Sequence, residues 1–291
     1  GLNGSSFAPL LLGFGCSVPA ILSTRRIETR SDRLVTIAVL PMMSCAGRLP
    51  IYMMFVSALF PSRLQAPVLF GIYASGVLLA LCCARLLKNT LFKAPQRDSL
   101  HHMKRLRLPS LRKVGILMWS RAFMYVRKAG TFILGASIIL WFLNTYPRPE
   151  ENTAPTNAAA MEHSYAGQIG HWMEPVTQVA GFDWKINSAL VGAFAAKEIF
   201  VTQMGILYAV EDGNSVPAAQ QTLNARLKAS YTPLQGISIM IFCLIALPCI
   251  GTVTVAKREA GTWWFALAQF GGLTLLGFAT ATLIYQAGLL L

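Results

Sequence analysis

The sequence predicts an all-α, polytopic transmembrane domain with broken or re-entrant segments, and three observations predict it. Of 291 residues 54% are hydrophobic and only 13% are charged, too few charges to cover a water-soluble surface. Hydrophobic runs recur at membrane-spanning length, a bilayer core of about 30 Å needing roughly 20 apolar residues in a helix. Several runs carry Pro, Gly, Cys or charge at their middle. Lipid offers no partner to a freed backbone group, so such breaks must face protein or a water-filled cavity. A chain built this way is expected to carry a solute across the bilayer.

The runs are Phe7 to Leu22, Thr36 to Phe60, Pro67 to Leu87, Ala129 to Tyr146, Ile186 to Val210, Leu234 to Ala256 and Thr262 to Leu291. The first is short and holds Pro9, Gly13, Gly15 and Pro19. The second contains Pro41, Arg48 and Pro50, and the fifth carries Lys197 and Glu198 at its centre. Residues 85–128 hold twelve Lys or Arg against Asp98, with Pro95 and Pro109 as breakers. This stretch is expected to be a basic, cytoplasmic, amphipathic connector between a first membrane region, 1–84, and a second, 129–291. Arg25, Arg26, Arg30 and Arg33 mark the cytoplasm too. Residues 147–185 carry Glu150, Glu151, Glu162, Glu174 and Asp183 and should lie outside.

If Ile186 to Val210 crossed the membrane fully, Lys257 and Arg258 would lie outside, against the positive-inside rule. A re-entrant hairpin restores the parity. The chain also echoes itself: Pro41-Met42-Met43-Ser44-Cys45 and Pro248-Cys249-Ile250-Gly251-Thr252 each put Pro, Cys and a hydroxyl in a hydrophobic run. Paired interrupted segments mark a transporter's midplane site.

The net charge of +13 would suggest nucleic acid in a soluble protein. Here the cations flank hydrophobic segments, so they report orientation and contact with anionic membrane lipid, with no nucleic acid partner. The six cysteines do not read as a secreted disulfide framework, because Cys16, Cys45, Cys243 and Cys249 lie in hydrophobic runs and Cys82 and Cys83 are adjacent. The chain starts at Gly1 without a basic leader, and a bulky Phe14 spoils a lipoprotein signal at Cys16. It is expected to be a piece of a longer protein or a split gene product, with no targeting segment. It shows no phosphate loop, dinucleotide fingerprint or H-E-x-x-H, and no Ser/His/Asp set at membrane depth, so no enzyme activity is expected of it.

The residues that can carry chemistry are thiols beside breaks. Cys16 sits in Gly15-Cys16-Ser17-Val18-Pro19, Cys45 follows Ser44, and Cys249 follows Pro248. Thiolate suits late or borderline first-row metals and copper(I), while carbonyl and hydroxyl oxygens add weaker contacts that let an ion leave. Magnesium and calcium prefer all-oxygen sites. Each thiol is equally a small buried hydrophobe, and Cys82, Cys83 and Cys243, on regular helix, read as packing, as do Met42 and Met43. Glu198 is costly at membrane depth, so it is a functional candidate or half of a structural ion pair. Lys197 beside it points to another helix face. Arg48 reads as a cap for freed carbonyls. His101 and His102 read as solvated, and His163 and His171 as external without metal-ligand spacing.

Gly13-Phe14-Gly15-Cys16-Ser17-Val18-Pro19-Ala20, Pro41-Met42-Met43-Ser44-Cys45-Ala46-Gly47-Arg48-Leu49-Pro50 and Ala196-Lys197-Glu198 resemble the membrane domain of FeoB ferrous iron transporters. Arg127-Lys128-Ala129-Gly130-Thr131, Glu174-Pro175, Gly181-Phe182-Asp183-Trp184-Lys185, Leu247-Pro248-Cys249 and Lys257-Arg258-Glu259 follow in the family's order. The resemblance implies a multi-pass ferrous iron permease of the bacterial inner membrane. It implies Fe(II) as transported substrate, and GTP and Mg only through an N-terminal GTPase domain not in this chain, in cis or as a separate chain. A small cytoplasmic accessory protein and a second copy of the chain are further implied partners. In its terms residues 1–84 hold the end of a first gate region, and 129–291 hold a second gate and the last helices. It places metal-site residues at Cys16, Cys45, Cys249 and Glu198. The alternatives are a nucleoside-type or other gate-containing solute transporter, insensitive to Cys16 and Cys45, and a thiol-redox or receptor subunit working through a Cys16 to Cys45 disulfide.

Overall fold

The computed structural model describes residues 4–91, 110–147, 162–208 and 216–290, and among them all regular structure is helical. Helix α1, Phe7–Gly13, and helix α2, Ser17–Ser23, flank a turn at Phe14 to Cys16, where Cys16 is extended (φ −154°, ψ 131°). The turn lies deep, with Gly13 against Leu40 and Met43. Both outer ends lie together: Thr36 Oγ1 donates to Ser6 Oγ (2.9 Å), and α2 runs into Thr24–Arg26, just before the helix that starts at Arg30. The predicted first broken segment is thus a re-entrant hairpin that opens at the arginine-rich, basic end.

Helix α3, Arg30–Val39, enters from that end, and Pro41 stops it. Single 3₁₀ turns at Leu40–Met42 and Ala46–Arg48 flank a stretch in which Met43 and Cys45 are extended, and α4, Leu49–Leu59, resumes with Pro50 in its first turn, where a missing N–H costs nothing. Helix α5, Ser62–Thr90, returns unbroken. Lys88 Nζ pairs with Asp32 Oδ1 at 3.0 Å, fastening its last turn to the first turn of α3.

Helix α5 continues through residue 90 and α6 spans Leu111–Thr145, so helix takes both flanks of the stretch 85–128. Lys and Arg are good helix formers whose stems lie along apolar surface, so charge density did not end the helices. Pro95, Asp98, His101, His102 and Pro109 lie outside the described residues, as do Glu150 and Glu151.

Helix α7, Tyr165–Thr177, is capped by Ser164, whose Oγ accepts from Gly167 N–H at 3.2 Å. Helices α8, Trp184–Ala195, and α9, Lys197–Tyr208, are separated only by Ala196, in extended conformation. Their far ends meet: Tyr231 donates to Asp183 Oδ2 (2.8 Å) at the start of α8, and Tyr208, at the end of α9, donates to Tyr231 (3.1 Å). Gln203 of α9 also reaches Ser188 of α8 (3.4 Å). The expected second hairpin is therefore present, and it opens at the acidic end. Helix α10, Val216–Ser230, lies there too, with Arg226 Nη1 donating to Tyr208 O at 3.1 Å.

Helix α11, Pro233–Ile245, starts with a capping box from Thr232 and Gln235 and stops before Ala246. After Leu247 and Pro248, α12 runs over Ile250–Ala260 to the basic end, where Glu259 meets Arg25. Helix α13, Trp263–Leu290, crosses back, and Gln286 donates to Val179 O at 2.8 Å. The order of hairpin, broken helix and long helix thus occurs twice, the second time upside down. Arg30–Leu59, Ser62–Thr90, Pro233–Ala260 and Trp263–Leu290 are each long and apolar enough to cross a membrane.

The broken spans are 61% and 56% buried in their most apolar windows, and the continuous α5 and α13 only 17%. This is the arrangement a bilayer demands, since only an intact helix can face lipid. Gly277 of α13 fits against the break of α11: a Cβ there would stand 2.7 Å from Ala246 Cβ and 3.1 Å from Ala246 N. Gly277→Ala should cost about 1–3 kcal/mol, as overpacking does, and lower the thermal unfolding midpoint in detergent. Gly271→Ala, with nothing within 4 Å of the added Cβ, should leave the midpoint unchanged or slightly raised.

Candidate functional site

Each hairpin tip meets the breaks of other helices at mid-depth. The tip of α1–α2 is joined to the first break by Ala46 N–H donating to Gly15 O at 3.2 Å. Cys16 follows Gly15 and Cys45 precedes Ala46, so this one backbone bond brings the segments of both predicted thiols together. The second break approaches the same tip, for helix α2 packs along α12 and a Cβ at Gly251 would sit 3.6 Å from Val18. Cys249 immediately precedes α12, its Sγ 3.2 Å from Thr252 Oγ1.

The tip of α8–α9 lies against the opposite side of the first break. A Cβ at Gly47 would stand 2.7 Å from Glu198 Oε1 and 3.6 Å from Lys197 Cβ, so the Glu198 carboxylate rests against the bare Cα of Gly47. The two charged neighbours point apart as expected: Lys197 is buried and Glu198 exposed. Lys197 lies within electrostatic reach of Arg48, Cys45, Cys243 and Cys249. The centre thus carries two buried cations and three thiols.

The freed carbonyls of both breaks are held by those cations. Arg48 Nη1 donates to Pro41 O at 2.7 Å and to Met43 O at 3.4 Å, the capping role expected of it. Lys197 Nζ donates across to Ala246 O at 3.4 Å. Leu247 has φ +53°, a left-handed conformation costing about 1–2 kcal/mol for a residue with a Cβ. Strain held beside a helix break is characteristic of functional sites. Arg48 Nε is buried without a hydrogen-bond partner among the described residues, and the buried Tyr52 hydroxyl lies beside that of Ser44.

Of the predicted metal-site residues, Cys16, Cys45 and Cys249 lie on segments that converge on the tip of α1–α2, whereas Glu198 lies on the far side of the first break, against Gly47. Among the described residues no three His, Cys, Asp or Glu side chains stand close enough to hold a metal ion together. Cys82 and Cys83 lie on α5, and no cysteine is in a disulfide. His171 stacks on Trp184 and pairs with Glu162 and Glu174 at the acidic end, outside the centre. Lys197 and Tyr52 were not singled out as site residues from sequence; buried charge in an apolar run was the signal for Lys197, and nothing marked Tyr52.

The sequence matches the Gate family model, described as nucleoside recognition, over residues 1–59 and 126–263. It matches the model of the ferrous iron transport protein B C terminus over residues 69–121. The Fe(2+) transporter FeoB of Campylobacter jejuni is 39% identical over 93% of this chain and 44% of its own length. A Fe(2+) transport protein A/Fe(2+) transporter FeoB fusion protein of Porphyromonas gingivalis is 37% identical over 100% of this chain and 38% of its own. The Fe(2+) transporter FeoB of Helicobacter pylori is 33% identical over 99% and 49%. The chain thus spans less than half the length of these curated relatives. No solved structure matches it.

The second hairpin is anchored by Asp183, whose Oδ1 caps α8 by accepting from Ile186 N–H at 2.9 Å. Burial raises its pKa above the ordinary carboxyl range, against the opposing pull of its hydrogen bonds and of Lys185. The folded state therefore keeps this proton to higher pH than the unfolded state, and its contribution to stability falls as pH rises from about 4 through the raised value. Asp183→Asn keeps one acceptor oxygen, at the position that takes Ile186 N–H at 2.9 Å and lies 3.0 Å from Tyr231 OH, and does not titrate. Wild type should lose thermal stability relative to the variant over that window, measured as the difference in unfolding midpoint against pH.

Proposed function

Since the chain belongs to the Gate family, as the C-terminal membrane part of a FeoB-type transporter, we propose that it forms the path by which Fe(II) crosses the bacterial inner membrane. The observation that carries this reading is the meeting of two oppositely opening hairpins with two broken helices, where Cys16, Cys45 and Cys249 lie on adjoining segments. Fe(II) is borderline-soft and takes mixed sulfur and oxygen ligands. Donors strung along a path, with freed carbonyls between them, bind an ion firmly enough to admit it and weakly enough to release it. Cys45 and Cys249 hand the ion between the two breaks, Cys16 serves at the hairpin tip, and Glu198 draws the cation from the other side of the first break.

Transport by the whole protein is coupled to GTP and Mg through a GTPase domain, joined or separate, that engages the basic end. The Porphyromonas relative is named as a fusion with transport protein A, which supports a small accessory protein as a further partner. Homo-oligomerisation is part of the same proposal. The nucleoside-type alternative draws on the Gate description alone, while the relatives that match along the chain are named as iron transporters.

The test is uptake of reduced iron by proteoliposomes carrying the full-length protein that contains this chain. Cys16→Ser and Cys45→Ser should each lower Fe(II) uptake by about tenfold or more, the scale on which metal-site partners act, at equal protein levels. Normal uptake in both variants would make the thiols packing residues. No iron flux in wild type would return the site to the organic-solute reading.

A further inference from the structure

The first hairpin is fastened to the rest of the molecule unequally. Its tip is tied at the centre by Ala46 N–H on Gly15 O. From there to the basic end α2 lies beside α12, and the two run parallel. A Cβ at Gly251 would sit 3.6 Å from Val18, and seven residues further along α2, in the turn that ends it, Arg25 grips Glu259, the same offset in sequence to within one residue. Cys16 stands just before α2 and Cys249 just before α12. A seam between two helices therefore leads from the segments of two candidate thiols to the basic end.

The apolar packing in this seam is thin. Ala20 and Ile21 of α2 and Ala256 of α12 share a small buried cluster with Ile37 and Leu40, separate from the main core that holds α4, the second hairpin and α11. Elements that move are drawn from such weakly packed parts of a structure. What closes the seam is polar and stands at its foot: Arg25 donates to both oxygens of Glu259, and Arg33 donates to the Glu259 carbonyl at 2.6 Å. The Arg25 side chain is 53% exposed and Glu259 only 5%, so this contact is the boundary between water and the seam. An ion pair whose arginine already stands in water loses little when it parts, whereas the apolar walls above it exclude water while it holds.

We propose that the seam between α2 and α12 is the way by which the ion passes between the centre and the basic end, and that the Arg25–Glu259 pair is the latch that closes it. This rests on the reading of the chain as an Fe(II) path. With the latch made, Ala20, Ile21 and Ala256 form a dry plug and the Glu259 charge is spent on Arg25. With it parted, α2 moves away from α12, water reaches Cys16 and Cys249 from the basic end, and a free carboxylate faces the cation at the mouth. Arg25 and Glu259 are then positioning residues that set when this end of the path opens.

The experiment is Fe(II) uptake by proteoliposomes carrying the full-length protein with Arg25→Cys and Glu259→Cys together, before and after the two thiols are joined by a short bifunctional methanethiosulfonate linker. Linking should bring uptake down to the level of protein-free vesicles, and reductive removal of the linker should restore it. Wild type given the same linker controls for the six native thiols. A merely structural clamp is served as well by the linker as by the ion pair, so normal uptake in the linked protein overturns the latch and leaves the iron path standing. A second measurement decides where the double variant is inactive before linking. Ala256→Cys, inside the seam, should be alkylated by a water-soluble maleimide faster during turnover with Fe(II) and GTP than without them, read at residue 256 by mass spectrometry. Equal rates in a wild type that transports iron overturn the latch alone. Absence of iron flux in wild type overturns the iron path, and the latch with it.

Discussion

Everything at the centre of this molecule follows from the cost of an unpaired carbonyl in lipid. A helix that stops halfway across a bilayer exposes acceptors that water cannot reach, each costing several kcal/mol if left bare. Here two helices stop, and a cationic side chain answers each time: Arg48 turns back on Pro41 and Met43 of its own segment, and Lys197 reaches Ala246 from the opposing hairpin. The solutions differ in kind. The arginine fork binds locally at short distance, while the lysine spans two halves of the chain at a longer one.

That constraint also sorts the helices. Broken segments and hairpins cannot meet lipid, so they fill the interior, and the unbroken α5 and α13 shield them. Because the two halves run in opposite senses, each hairpin enters from a different side and its tip reaches only mid-depth. A path through such a centre is blocked from both directions by short elements. Small residues make the fit possible: Gly47 admits Glu198, and Gly76 lies with its Cα side against Leu244 of α11 and the carbonyl of Met42 in the first break.

How much of this was legible depended on whether a break had a chemical cause in its own sequence. Pro41, Pro50 and Pro248 announce the broken helices, and the arginines of residues 25–33 announce one membrane side. The second hairpin has no such mark, since its turn is Ala195-Ala196-Lys197; only the sign of charge at Lys257 and Arg258 required it. Contacts between distant segments were illegible for a plain reason: Lys197 and Ala246 are 49 positions apart, and Tyr231 and Asp183 are 48. No periodicity encodes such a meeting. Helix at both flanks of the basic stretch agrees with Lys and Arg being good helix formers. The four predicted metal residues were chosen by type, and type does not carry distance, so the meeting of the Gly15 and Ala46 backbones beside Cys16 and Cys45, with Glu198 against Gly47, could not be read in advance.

At the basic end Arg25 grips both oxygens of Glu259, at 2.9 and 2.5 Å, and Arg33 donates to the carbonyl of the same residue at 2.6 Å. The partners are 234 and 226 positions apart. A ribosome that has just delivered the first hairpin to the membrane therefore has most of the chain still to make before that hairpin finds its anchor. Until then α1 and α2, seven residues each and too short to span the bilayer, are held by neighbouring segments, through Thr36 on Ser6 and Ala46 on Gly15, and the basic end closes once α12 has been made.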